Sequence, residues 1–81
     1  MTTRPYWTLS HDERMRACSL FVQGLFEDAL TYGTPACMSL DDAARNLAGY
    51  IADGLPVPAD LTPALLAWFW NDAVRDEVTA D

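Results

Sequence analysis

The chain has 81 residues and a net charge of −7, from twelve Asp and Glu residues against five arginines and no lysine. Nucleic-acid phosphates and anionic membrane surfaces both attract basic patches, so this charge argues against either as a direct ligand. No apolar run is long enough for a transmembrane helix, and the first residues lack the apolar core of a signal peptide, so we expect a cytoplasmic protein. The abundant alanine and missing lysine are typical of a G+C-rich coding sequence and favour a bacterial or phage source.

Residues 1–9 are predicted to form an extended N-terminal arm. Arg4 precedes a proline, which disfavours the helical conformation at that position. Tyr6, Trp7 and Leu9 are too apolar for a free tail, so we expect the arm to pack across the helices. The alternative is that Tyr6 and Trp7 contact a partner.

The first helix is predicted over residues 10–32. Ser10 and Glu13 have the spacing of a capping box, and Gly33 followed by Pro35 is a helix terminator. Leu20 falls on the polar side and is a candidate exposed contact. The apolar stripe contains Met15, Cys18, Val22, Leu25, Ala29 and Tyr32, widened by Phe21, Phe26 and Leu30. A stripe this wide must be covered by other elements.

The second helix is predicted over residues 39–53, starting at the Ser39 cap and ending before Gly54. Leu55 is expected to fold back onto Tyr50. Asp41 and Arg45 have the spacing of an ion pair one turn apart. The expected core stripe of this helix consists of Leu40, Ala44, Leu47 and Ile51.

The third helix is predicted over about residues 60–78, beginning at Asp60 or Thr62, with Pro63 in its first turn. Phe69 is expected near the centre of its apolar arc, so Trp68 and Trp70 flank the core and one of them is part-exposed. The other residues of the arc are Leu61, Leu65, Leu66 and Ala73. The chain is therefore predicted to be all-α: one compact three-helix domain over residues 1–81. Its core is predicted to contain Phe21, Val22, Leu25, Leu47, Ile51, Leu65 and Phe69.

No catalytic, cofactor-binding or metal-binding residues are predicted. The only histidine, His11, is seven residues from Cys18, which places the two about 10 Å apart along the helix, too far for a hydrogen bond. One histidine and two separated cysteines do not form a zinc site, and helix geometry keeps Cys18 from reaching Cys37 as a disulfide. The scattered glycines form no phosphate-binding loop. We therefore expect a protein that is not an enzyme.

A three-helix scaffold also suits helix-turn-helix proteins, but the second and third helices each carry one arginine and several acids. We instead expect an acidic patch around the first helix–helix connection, with Asp42 and Asp53 on one outward face. Trp68, Trp70 or Leu20 is expected to supply an apolar anchor for the same partner. The patch residues are Glu27, Asp28, Asp41, Asp42 and Asp53.

Such a patch favours binding to a basic protein surface that normally holds nucleic acid. In size, charge and helical character, though in no sequence motif, the chain is similar to small acidic inhibitors such as phage anti-CRISPR proteins and the immunity proteins that block basic nucleases. The expected function is inhibition by occupying a partner's surface. Two alternatives remain: the acids serve solubility alone, or the chain is a structural or regulatory module that homodimerises through the third helix.

Overall fold

The structure is a computed structural model that describes residues 10–79, so the predicted arm lies outside the described residues. It contains three helices, α1 (His11–Leu30), α2 (Leu40–Ala52) and α3 (Pro63–Thr79), and no strand within residues 10–79. The all-α, three-helix prediction is confirmed.

Each helix begins at a hydroxyl side chain that satisfies an unpaired backbone N–H group of the first turn. The Ser10 hydroxyl accepts from the Glu13 N–H at 3.2 Å, while the Glu13 carboxylate accepts from the Ser10 N–H at 3.0 Å. This is the predicted capping box. The Ser39 hydroxyl accepts from the Asp42 N–H at 3.1 Å, and the Thr62 hydroxyl caps α3 in the same way.

Glycine ends α2 by taking a conformation that other residues rarely adopt. Gly54 has φ +78°, its N–H donates to the Ile51 carbonyl, and the Leu55 N–H donates to the Tyr50 carbonyl at 3.1 Å. These two bonds form the Schellman motif, and the predicted return of Leu55 onto Tyr50 is confirmed at the backbone. The first helix is shorter than predicted, because it ends at Leu30 and leaves Tyr32 93% exposed instead of in the stripe.

α3 is the helix that packs against both of the others. Its buried residues Leu66, Trp70 and Val74 recur every four positions and therefore form one face. Trp70 meets Phe26 of α1 edge to face, with ring centroids 5.3 Å apart. The remaining buried residues are Cys18, Val22, Met38, Ala43, Leu47 and Leu61.

The predicted centre of the α3 arc is wrong by one residue. Trp70 is only 9% exposed, whereas Phe69 is half-buried, and Val74 continues the buried face beyond Ala73. The reason is a hydrogen bond from the Trp70 indole N–H to the Ala36 carbonyl at 2.9 Å, which satisfies the ring's one polar group inside the core. Trp68 is 59% exposed, so the prediction that one of the two tryptophans is part-exposed is confirmed.

The predicted core stripe of α2 is also wrong, except for Leu47. The helix is rotated so that Ala43 is fully buried, while Leu40 is 59% exposed, Ile51 is 60% exposed and Ala44 is exposed. Alanine has no bulk beyond Cβ, so a buried Ala43 lets the backbone of α2 lie close to its neighbours. The other predicted core residues, Phe21, Leu25, Leu65 and Phe69, are half-buried around a core that does include Val22.

A side chain of α3 holds the segment between α1 and α2. The Asn71 carboxamide oxygen accepts from the Met38 N–H at 2.6 Å, and its amide nitrogen donates to the Met38 carbonyl at 3.0 Å. Since Met38 immediately precedes the Ser39 cap, these two bonds help to set where α2 starts and which face it turns inward.

Tyr50 gives the fold an expected loss of stability at alkaline pH. Its ring packs against that of Phe21, with centroids 6.2 Å apart. Burial raises the pKa of its phenol above the ordinary value of 10.0. Above about pH 10 the unfolded chain loses this proton first, so stability is lost as the pH rises. In urea titrations, we expect Tyr50→Phe to reduce the fall in stability between about pH 9 and pH 11. Tyr32→Phe, at an exposed site, is the control; equal behaviour of the two variants would contradict this assignment.

Candidate interaction surface

The described residues form no cluster of metal-ligating side chains. No group of three or more His, Cys, Asp or Glu side chains within residues 10–79 could hold a metal ion. His11 is exposed at the first position of α1, whereas Cys18 is fully buried, so the two do not share a site. No disulfide links Cys18 to Cys37, as predicted from helix geometry.

The predicted acidic patch is divided between the two ends of α2. Glu27 and Asp28 are exposed in the last turns of α1, and Asp41 is exposed in the first turn of α2. Asp42 lies beside Asp41, so these four acids border the first helix–helix connection. Asp53 caps the other end of α2, about 18 Å away along a helix of this length. Four of the five predicted residues therefore flank the connection between α1 and α2, and Asp53 lies at the far end of α2.

One of these four acids already forms an ion pair with an arginine of the same helix. Asp42 pairs with Arg45 at 2.6 Å, in place of the predicted pair between Asp41 and Arg45. The hydrogen bond from Arg45, together with one from Ser39, holds the pKa of Asp42 below its usual value of 3.8. Asp42 is thus ionised at neutral pH, but Arg45 offsets its charge, which leaves Glu27, Asp28 and Asp41 as the stronger candidates for contact with a basic partner.

The three predicted apolar anchors have different environments. Leu20 is 57% exposed on α1 and Trp68 is 59% exposed on α3, where its ring and that of Phe69 are nearly perpendicular, with centroids 5.2 Å apart. Each lies two residues, and therefore about 200°, from a fully buried residue of its own helix, so both point away from the core. Trp70 is a correction: it is a core residue and is not available as an exposed anchor.

Three α2 residues that the sequence placed in the core, Leu40, Ala44 and Ile51, are exposed. Residues of α2 at spacings of three and four lie along one exposed face: Leu40, Ala44, Ala48 and Ile51, followed by Leu55 after the helix. The apolar arc of α2 spans roughly 160°, and only the half centred on Ala43 and Leu47 is buried. The width of the arc is the signal that indicates a second apolar face.

Two shallow hollows flank the core. The larger, about 380 Å³, lies between α1 and α3, and carboxylates of Asp72, Asp76 and Glu77 rim an apolar floor that includes Phe69. Asp72 also pairs with Arg75 at 3.2 Å. The smaller hollow, about 220 Å³, lies beside Trp70 and the connection between α1 and α2.

The chain is a small helical bundle with a net charge of −7 and exposed apolar side chains on each helix. Within residues 10–79, none of the helices combines the length and the apolar character needed to cross a lipid bilayer. Compared with known proteins, the chain matches no protein-family model, no curated protein and no solved structure.

Proposed function

We propose that this chain is a non-enzymatic binding protein that occupies a basic surface of a partner protein. The observation that carries the proposal is the group of exposed acids Glu27, Asp28 and Asp41 beside the connection between α1 and α2. None of these three forms an ion pair with another described residue. Their charge is therefore available to a basic partner, such as a protein groove that normally holds nucleic acid.

Inhibition by occupancy requires charge and shape but no reacting group. The acidic inhibitors of phage counter-defence and the immunity proteins are the model for this proposal. A cytoplasmic location stays a prediction.

Purification of the tagged protein from its native host, with mass spectrometry of what co-elutes, identifies the partner. We then expect the association rate to fall with added salt, because exposed charges are screened beyond about 8 Å at physiological ionic strength. Asp28→Lys combined with Asp41→Lys should slow association by about tenfold or more, since electrostatic steering acts mainly on this rate.

The matched control is Asp53→Lys with Glu77→Lys, which makes the same change in net charge outside the group of three acids. Thermal melting of both double variants checks that folding is retained, since exposed substitutions usually change stability by less than about 0.5 kcal/mol. A salt-independent association rate, or an equal effect of the two double variants, would show that these acids serve solubility rather than recognition.

A second candidate function, a homodimeric structural or regulatory module, is favoured by the exposure of Trp68 on α3. Trp70 is the wrong residue for testing it, because a charge introduced there would disrupt the core. If α3 mediates a dimer, Trp68→Glu should convert it to a monomer in sedimentation velocity. A wild-type protein that is monomeric at high micromolar concentration would eliminate this candidate.

A further inference from the structure

One exposed face of α2, the row that contains Leu40, Ala44, Ala48 and Ile51, is apolar along the whole length of the helix. Leu40 lies at the first position and Ile51 in the last turn, with Ala44 and Ala48 between them. The motif that ends the helix places Leu55, which is 40% exposed, just beyond it. An apolar row at helical spacing is the surface against which another helix packs.

Charge decides between the possible occupants of this face. Asp41 lies next to the apolar row, about 20° beyond Ala48 around the helix. Arg45, the only cation of α2, is held by Asp42 at 2.6 Å. The border of the face therefore attracts basic residues.

A second copy of the chain fits this face poorly. The row covers roughly 18 Å by 10 Å, on the order of 200 Å² in projection, so binding there depends on charge attraction at the border as well as on apolar contact. Two copies would each bring a net charge of −7 to this small contact. Repulsion opposes that association, while a basic partner gains attraction over the same area.

We propose that the exposed face of α2 receives an amphipathic helix of the partner protein, whose apolar side lies on Leu40, Ala44 and Ile51 and whose borders carry lysine or arginine. This inference rests on the proposed function and names the surface and the kind of element that it recognises. The alanines in the middle of the row let the incoming helix approach closely, and the larger residues at each end contact its flanks.

The test uses synthetic peptides and the full ¹⁵N-labelled chain. The probe is a peptide of about five helical turns, made of leucine and lysine with leucine at positions i, i+3, i+4 and i+7. One control peptide replaces every lysine by glutamate, and another scrambles the order of the same residues. We expect the basic amphipathic peptide to shift the amide signals of α2 around Ala44 and Ile51, and the two controls to leave them unchanged.

Three variants locate the contact. Ile51→Glu and Ala44→Glu each place a charge in the row and should weaken peptide binding by about tenfold or more, equivalent to about 1.4 kcal/mol. Val78→Glu is the matched control, because Val78 is 66% exposed on α3 and Ile51 is 60% exposed on α2. It should retain wild-type affinity, and melting curves confirm that all three variants fold.

Peptide shifts outside α2, equal binding of the glutamate peptide, or equal effects of the Ile51 and Val78 variants would overturn the inference. So would self-association in sedimentation velocity that Ile51→Glu abolishes, since the occupant would then be a second copy. If Ile51→Glu leaves association with the co-purified partner unchanged while the Asp28 and Asp41 variant slows it, this inference fails and the proposed function stands. If association is independent of salt, the proposed function fails whatever the peptide does.

Discussion

Leu66→Ala is expected to lower the free energy of unfolding by about 2–5 kcal/mol. Leu66 is the largest side chain of the described residues with no exposed surface, and it lies on the helix that packs against both others. Truncation removes buried methyl groups and leaves a cavity that close-packed neighbours fill only in part. A domain of this kind has about 5–15 kcal/mol of stability in all, so the loss should be visible in a single urea titration.

Leu40→Ala is the control, because Leu40 is 59% exposed at the first position of α2. It should change the unfolding free energy by less than about 0.5 kcal/mol. Leu25, which the sequence places at the centre of the longest stripe, is half-buried, so Leu25→Ala should have an intermediate effect. Equal losses for the leucines at positions 66 and 40 would contradict the described core.

Asn71→Ala is expected to lower the unfolding free energy by about 2–4 kcal/mol, because each polar group left without a partner costs about 1–3 kcal/mol. The variant removes the two part-buried hydrogen bonds between the Asn71 side chain and the Met38 backbone, one to the N–H at 2.6 Å and one to the carbonyl at 3.0 Å. Asn71→Asp should lie between wild type and alanine, since a carboxylate still accepts from the Met38 N–H but no longer donates to its carbonyl.

Asn46→Ala is the matched control, because the Asn46 amide makes only a weak contact, 3.9 Å from the Met38 sulfur. Hydrogen exchange gives a second measurement: protection of the Met38 amide should fall in the Asn71→Ala protein and persist in the Asn46→Ala protein. Unchanged Met38 protection after loss of Asn71 would show that the connection between α1 and α2 is held by other contacts, such as the bond from Trp70 to Ala36.

The acidic surface was partly predictable from sequence. Exposure of Glu27, Asp28 and Asp41 follows from the helical positions of charged residues, because an ionised group is rarely buried without a partner. The choice of Asp42 over Asp41 as the partner of Arg45 was not predictable. Spacings of three and four residues are both compatible with an ion pair, and the side-chain conformations select between them.

The sequence by itself determined where α1 and α2 begin and approximately where all three helices end. For α3 it left Asp60 and Thr62 as alternative starts, and the structure has Thr62 as the cap. The signals are local: the Ser10 and Glu13 side chains bond to backbone groups three residues away, and Gly54 ends α2 through bonds that span no more than five residues. Interactions of this range depend only on neighbours along the chain, so residue types at fixed spacing predict them.

Only the tertiary structure decided which face of each helix is buried. The apolar arcs of α2 and α3 are wider than the surface that their neighbours cover, so periodicity leaves several rotations possible. Contacts between distant residues select one: Asn71 bonds to Met38, 33 positions away, and Trp70 bonds to Ala36, 34 positions away. Those contacts bury Trp70 and turn Ile51 outward, because satisfying buried polar groups constrains how the helices pack.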